Sequence, residues 1–153
     1  MEAMDDVEQN IMALSENIWL TVLGLPLTPS DLSYGALPHG ATLDGIITIC
    51  GDWQGTVIVQ VPRPLAQKAA KIMFSLEETP PTLADMQDAL GEITNMTGGH
   101  LKSLMAGNCF LSLPAVVEGS DYSIRIPTAQ VLSRVIFDCE GMPAVVSLVA
   151  AGA

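Results

Sequence analysis

Basic residues are scarce in this chain of 153 residues, which has six lysines and arginines against 17 aspartates and glutamates. The resulting formal charge of −11 at pH 7 repels the phosphates of nucleic acids and of anionic lipid headgroups. Lysine and arginine form no local cluster that would offset this repulsion. The composition therefore argues against nucleic acid as a partner.

Long apolar runs are also missing. The longest nearly apolar stretch, residues 142–153, falls well short of the roughly 20 residues that a bilayer-crossing helix needs. The first ten residues, MEAMDDVEQN, are acidic and lack the basic start and apolar core of a secretory signal. We therefore expect a cytoplasmic protein without a membrane span.

Cysteine and histidine are too few for the sites that they usually form. Cys50, Cys109 and Cys139 match neither a disulfide framework nor a C-x-x-C motif, and we interpret them as buried free thiols. The two histidines, His39 and His100, are distant in sequence, which argues against a metal site. We interpret His100 as a packing histidine at the edge of a helix's core face.

The remaining composition and patterning predict one mixed domain. With 49% hydrophobic residues, a chain of this length fills one core but not two, so residues 1–153 are predicted to form a single domain. Helical spacing of apolar residues predicts a first helix over about residues 5–23, which Gly24 and Pro26 terminate. Prolines and glycines in residues 25–41 predict a loop or an irregular edge strand.

β-Branched residues dominate the next segment. The runs IITIC and TVIVQV flank the turn-like GDWQG and predict a hairpin over residues 45–61. Pro62 and Pro64 then suit the first turn of a short helix that extends to about Phe74.

A second, longer helix follows, because Thr82 and Asp85 have the spacing of a capping pair. We expect this helix to end near Gly107. Strand-like runs come after it, at residues 109–117, 122–126, 131–139 and 144–149. Helices and strands without strict βαβ alternation predict an α+β fold, a mostly antiparallel sheet with long helices packed on it.

A possible internal repeat relates the two predicted long helices. The segment ALSENIW, which ends at Trp19, aligns with ALGEITN, which ends at Asn95, and Glu16 then matches Glu92. Each helix also precedes a strand, a turn and a second strand. Chance similarity between short amphipathic helices explains the match equally well.

The second long helix separates its residues by polarity when they are placed at about 100° per residue. One side is predicted to face the core: Leu83, Met86, Leu90, Ile93, Thr97, Leu101 and Leu104. The opposite side forms what we call the polar stripe: Asp88, Glu92, Asn95, Gly99 and Lys102. The polar stripe is the candidate functional site.

Gly98 and Gly99 interrupt this helix at a cost of roughly 1 kcal/mol each relative to alanine. Two explanations fit such a pair equally well. A partner approaches the helix closely there, or another element of the same chain packs tightly against it.

The segment DALGEITNMTGGHLKSL resembles the CheC/CheX/FliY family of chemotaxis phosphatases. In that family an Asp or Ser precedes an E-x-x-N motif by four residues, as Asp88 precedes Glu92 and Asn95, and a small-residue pair and a lysine follow. FLSLPAVVEG (residues 110–119) resembles the family's serine-proline-valine strand, and GIITICGDWQGTVIVQVP resembles its first hairpin. Pro114 follows Asn95 by 19 residues, a shorter spacing than in the family.

The resemblance is closest to CheX, since Trp19 stands where a second site would need asparagine. It implies a CheC-like fold and hydrolysis of the aspartyl phosphate of a CheY-type response regulator. Asn95 would orient the attacking water and Glu92 would pair with the receiver's lysine. The chain would need no cofactor of its own, because Mg²⁺ would belong to the receiver.

Partner-binding roles are expected for Asp88, Gly99 and Lys102, although a solvated role for Asp88 is equally compatible and Lys102 fits a solvated position better. The family resemblance also implies a homodimer. Two other functions remain open: a CheX-like adaptor that binds a receiver without hydrolysis, and a structural subunit associated with the flagellar switch.

Overall fold

A computed structural model describes residues 6–30, 42–119 and 130–151. Its α-helices are α1 (Val7–Ile18), α2 (Arg63–Met73) and α3 (Leu83–Ser103). Its strands are β1 (Thr28–Pro29), β2 (Thr42–Gly51), β3 (Gly55–Pro62), β4 (Cys109–Leu111), β5 (Ala115–Gly119), β6 (Gln130–Cys139) and β7 (Met142–Ala150). The strand predicted at residues 122–126 and most of the predicted loop at 25–41 lie outside the described residues.

The seven strands form one antiparallel sheet in the order β1–β6–β7–β3–β2–β4, and β5 also pairs with β2. The helices pack against the sheet, and α3 contacts β2, β3, β4, β5, α1 and α2. This arrangement confirms the α+β class with an antiparallel sheet. Of the three helices only α3, at 21 residues, is long.

The sheet has an internal two-fold symmetry of strand order. Exchanging β2 with β6, β3 with β7, and β1 with β4 and β5 gives the same order read from the other edge. The helices follow the same exchange, since α1 packs on β6 and α3 packs on β2. The described topology therefore supports the internal repeat, with β3 and β7 adjacent at its centre.

Helix α1 continues into a π-helical turn, Trp19–Leu23, before Gly24 ends it with a φ of 69°. A π-turn adds a residue to the helical repeat and so rotates the side chains that follow it. Trp19 is 2% exposed and belongs to the core. The position that matches Asn95 in the repeat is thus occupied by a core side chain.

The N-terminus of α3 has the predicted capping box. The Thr82 hydroxyl accepts a hydrogen bond from the Asp85 amide at 3.1 Å, and the Asp85 carboxylate accepts one from the Thr82 amide at 2.9 Å. These two bonds satisfy amide groups that have no partner within the first turn.

The predicted C-terminus of this helix was wrong, because α3 ends at Ser103 and not near Gly107. The amides of Leu104 and Met105 donate to carbonyls only three residues back, which tightens and ends the last turn. Leu104 therefore leaves the core face and is 37% exposed. Gly107 lies beyond the helix with a φ of 88°.

The single strand predicted over residues 109–117 is two strands. Three residues between Leu111 and Ala115 face the two between Ile46 and Ile49, which is the pattern of a β-bulge. The Ser112 amide donates to the Thr48 carbonyl at 2.9 Å, and the Ser112 hydroxyl accepts from the Thr48 amide at 3.0 Å. We call residues 112–114 the edge bulge.

The prediction of three buried thiols was right only for Cys139. Burial and the neighbouring charge of Glu140 raise the pKa of the Cys139 thiol to about 11. Cys109 is half-buried and Cys50 is exposed; Cys50 lies near the end of β2, opposite Phe110, which is itself exposed. Within the described ranges, no helix has the length and apolarity to cross a bilayer.

Candidate functional site

All five residues of the polar stripe lie on α3. The side chains of Asp88, Glu92 and Asn95 are exposed, while Gly99 and Lys102 are half-buried. Successive members are one helical turn apart, so Asp88, Glu92 and Asn95 span about 10 Å along the axis. Lys102 lies about a further 10 Å beyond Asn95.

The opposite face of α3 is buried and fixed to β2. The hydroxyls of Thr94 and Thr97 donate to carbonyls one turn earlier, each at 2.7 Å, so their polar atoms are satisfied in the core. Gly45 of β2 leaves room for the Thr94 side chain, which a Cβ there would strike. Close packing on the sheet therefore holds the helix, and the polar stripe that it presents is rigidly supported.

The two interior glycines of α3 have different surroundings. A Cβ at Gly98 would lie 2.7 Å from Cγ2 of Ile47, whereas a Cβ at Gly99 would meet only Leu111 Cδ1 at 3.9 Å. Packing against β2 therefore explains Gly98. The fold leaves space for a side chain at Gly99, so close approach of a partner remains a hypothesis for that position.

His100 was expected at the edge of the core face but is exposed. Gly98 and Leu101 face the sheet, and this orientation of the helix directs His100 outward. Among the residues the structure describes, no group of three potential metal-ligating side chains comes together.

Glu92 and Asn95 have uncommitted side chains. Over residues 6–30, 42–119 and 130–151, neither the Glu92 carboxylate nor the Asn95 amide has an ion pair or a side-chain hydrogen bond. Ser103, the last residue of the same helix, by contrast donates to the His100 carbonyl. The charge and hydrogen-bonding capacity of the pair are thus available to another molecule.

A shallow groove of about 400 Å³ opens beside Glu92. Its walls are α3 and the start of β5: Gln87, Asp88, Gly91, Glu92, Pro114 and Val116. Gly91 is buried opposite Val116, since a Cβ there would lie 3.7 Å from Val116 Cγ2. Helical periodicity did not identify Gln87 and Gly91 as groove residues, because the groove exists only where β5 pairs with β2.

The antiparallel sheet with helices packed on it is a CheC-like fold: a CheC-like superfamily protein from Shewanella sp. PV-4 matches it with a TM-score of 0.73 at 20% identity, covering 96% of this chain and 98% of its own. The family profile described as "Chemotaxis phosphatase CheX" matches residues 43–138. The chain therefore belongs to the CheX family. No curated protein matches the sequence.

Solved structures share the fold over nearly the whole chain. The chemotaxis protein CheX from Vibrio vulnificus is 22% identical with a TM-score of 0.74, covering 92% of this chain and 93% of its own. The CheX protein from Desulfovibrio desulfuricans is 20% identical with a TM-score of 0.73, covering 94% and 97%. A CheX–CheY–BeF₃–Mg²⁺ complex from Borrelia burgdorferi contains a chain 15% identical with a TM-score of 0.73, covering 94% and 96%.

Proposed function

We propose that this chain is a single phosphatase domain that hydrolyses the aspartyl phosphate of a CheY-type response regulator. The observation that carries the proposal is the pair of uncommitted side chains, Glu92 and Asn95, on the exposed face of α3 in a member of the CheX family. The B. burgdorferi complex of CheX with CheY supports a receiver domain as the partner. This function would place the chain in the cytoplasm.

In the proposed mechanism, Asn95 enters the receiver's active site and positions the attacking water. Hydrolysis of an aspartyl phosphate requires a water molecule in line with the departing oxygen. A carboxamide both accepts and donates hydrogen bonds, so Asn95 can hold the water by its carbonyl oxygen while its amide group donates to a neighbouring acceptor. The gain comes from orientation, without a covalent intermediate on this chain.

Glu92 would set the register between the two proteins. Its carboxylate is one turn from Asn95 and has no ion pair within the described part of the chain, so it can pair with the receiver's active-site lysine. Such a charge-assisted contact contributes orientation and association rate more than raw affinity. Mg²⁺ would be held by the receiver, where it would neutralise negative charge on the phosphoryl group.

The other members of the polar stripe would contact the receiver's surface. Asp88 lies in the groove beside Glu92, and Gly99 leaves open space one turn beyond Asn95. Lys102 lies at the far end of the stripe. A homodimer is also proposed, and β5, at the open edge of the described sheet, is available for pairing with a second copy.

The matched pair Asn95→Ala and Asn17→Ala tests the catalytic assignment. Asn17 is an exposed asparagine on α1, two residues before Trp19, the position that matches Asn95 in the repeat. A receiver charged with acetyl phosphate and Mg²⁺ is mixed with each variant, and phosphate release is followed. Loss of a single positioned transition-state contact lowers the rate on the order of 10²-fold, which we expect for Asn95→Ala and not for Asn17→Ala.

If Asn95→Ala binds the phosphorylated receiver and still dephosphorylates it as fast as the wild-type chain, the catalytic assignment is wrong. The adaptor function would then be favoured, because it needs binding but not the amide. A flagellar switch subunit would instead enter a large stable complex on size-exclusion chromatography and leave the receiver's phosphorylated lifetime unchanged.

A further inference from the structure

Leu113 has the most exposed large apolar side chain in the residues that the structure describes. It is 90% exposed, against 66% for Phe110 and 58% for Leu20. A single exposed leucine is common on protein surfaces and needs no special role. The surroundings of Leu113 distinguish it from such a case.

The edge bulge presents Leu113 on a fixed backbone. Ser112 contributes its amide and its hydroxyl to Thr48 of β2, at 2.9 and 3.0 Å, and Pro114 has a restricted backbone on the other side. The residue is therefore preorganised, and a partner that covers it would lose little conformational entropy in ordering the backbone.

The bulge runs level with Asn95. Leu111, on one side of it, lies against Gly99, and Val116, on the other side, lies against Gly91. Asn95 is midway between Gly91 and Gly99 on α3. The edge bulge is correspondingly midway between Leu111 and Val116 on the strands that face α3. The edge bulge, which includes Leu113, therefore lies alongside the turn of α3 that carries Asn95, the proposed catalytic residue.

One concave surface includes part of the edge bulge, and a second lies nearby on the β4 side. The groove of about 400 Å³ lies on the β5 side and includes Glu92 and Pro114. A second depression of about 320 Å³ lies on the β4 side and includes Lys102 and Phe110. The polar stripe therefore has a concave surface near each end, and Leu113 lies in the chain between Phe110 of one and Pro114 of the other.

We propose that Leu113 is an apolar anchor that a phosphorylated receiver domain covers when Asn95 enters its active site. The inference rests on the proposed function. The observation that chooses the occupant is the shared groove: Pro114 of the edge bulge lines it together with Glu92, so a domain seated over Glu92 and Asn95 is within reach of Leu113. Leu113 supplies affinity, while Asn95 supplies the rate of the bound complex.

The test compares Leu113→Ser, Leu113→Met and Leu20→Ser in the full chain. Leu20 is an exposed leucine on the π-helical turn of the other half and serves as the matched control. Dissociation constants are measured for a candidate receiver loaded with BeF₃⁻ and Mg²⁺, where BeF₃⁻ stands in for the phosphoryl group. Single-turnover dephosphorylation at saturating chain gives the rate of the bound complex.

Leu113→Ser is expected to raise the dissociation constant about tenfold or more, with the saturating rate within about twofold of wild type. Leu113→Met keeps an apolar contact and is expected to retain wild-type affinity, as is Leu20→Ser. Unfolding in urea should be unchanged, because Leu113 is exposed.

Equal affinity of Leu113→Ser and wild type, while Asn95→Ala abolishes turnover, would overturn the anchor and leave the proposed function intact. Absence of both binding and hydrolysis by the wild-type chain, across the receivers tested, would overturn the proposed function and the anchor together. A lower saturating rate with unchanged affinity would also contradict the anchor, because Leu113 would then affect positioning and not binding.

Discussion

Alanine substitution of the two adjacent glycines of α3 should have different effects on stability. Gly98 and Gly99 occupy the same helix, so each substitution gains the same helix propensity, about 1 kcal/mol. They differ in what the new methyl group meets. At Gly98 it would lie 2.7 Å from Cγ2 of Ile47, a branch close to the backbone, whereas at Gly99 its nearest neighbour is Leu111 Cδ1 at 3.9 Å.

The propensity gain cancels in the comparison, so the difference between the variants measures the packing of α3 on β2. Inserting a methyl group into a filled core costs about 1–3 kcal/mol. Gly99→Ala is therefore expected to stabilise the fold by about 1 kcal/mol. Gly98→Ala should be less stable than Gly99→Ala by about 1–3 kcal/mol, or about 2–4 °C in melting temperature per kcal/mol for a chain of this size.

Urea unfolding followed by circular dichroism measures both free energies against wild type. A Gly98→Ala protein as stable as Gly99→Ala would refute the close contact between α3 and β2. The same Gly99→Ala protein tests its expected role in partner binding, because a stable fold with a raised dissociation constant for the receiver separates that role from folding.

Three further predictions concern burial and capping. Burial raises the pKa of the Asp44 carboxyl above 3.8. Between 3.8 and the folded pKa, the folded chain therefore keeps a proton that the unfolded chain releases. The fold loses stability as pH rises through the folded pKa. Asp44→Asn should therefore stabilise the fold at about pH 7 and lose this advantage below pH 3.8 in urea titrations; an equal effect at both pH values would contradict the raised pKa. Iodoacetamide at about pH 8 should alkylate the exposed Cys50 in the native protein. Cys139 is buried and its pKa is raised to about 11, so it should react only after unfolding. Fast labelling of Cys139 in the native protein, detected by mass spectrometry, would argue against its burial. Thr82→Ala removes the side-chain acceptor of the capping box and should cost about 1 kcal/mol; an unchanged unfolding free energy would mean that the cap is dispensable.

Local patterns were sufficient for the elements whose sequences carry their own signals. The capping box at Thr82 and the turn between β2 and β3 depend on residues close in sequence, and both were predicted. The exposed placement of Glu92 and Asn95 followed from helical periodicity, because a helix with one apolar face on a sheet must present the opposite face outward.

Features that depend on tertiary contacts could not be predicted in this way. The split between β4 and β5 arises from Ser112 bonding to Thr48, 64 residues away, and no local signal gives that pairing. The π-turn at Trp19–Leu23 buries Leu23 and leaves Val22 half-buried, whereas periodicity at 3.6 residues places Val22 in the core. Leu104 fits the apolar face only if the helix continues, and the helix ends one residue earlier.

The groove beside Glu92 illustrates the same division. Its α3 wall is a local feature, whereas Pro114 and Val116 reach it only because β5 pairs with the edge of β2. Sequence reasoning could therefore place the two proposed catalytic residues on one exposed face but could not describe the surface that surrounds them.

The most direct test of the central claim is phosphate release under multiple-turnover conditions. Two samples contain a phosphorylated CheY-type receiver and Mg²⁺. One of them also contains the wild-type chain at about one hundredth of the receiver's concentration, and the other lacks it. The account predicts that one chain releases many phosphates, at a rate proportional to its concentration. A receiver lifetime that is unchanged, or that is prolonged by binding, for every receiver tested would contradict it.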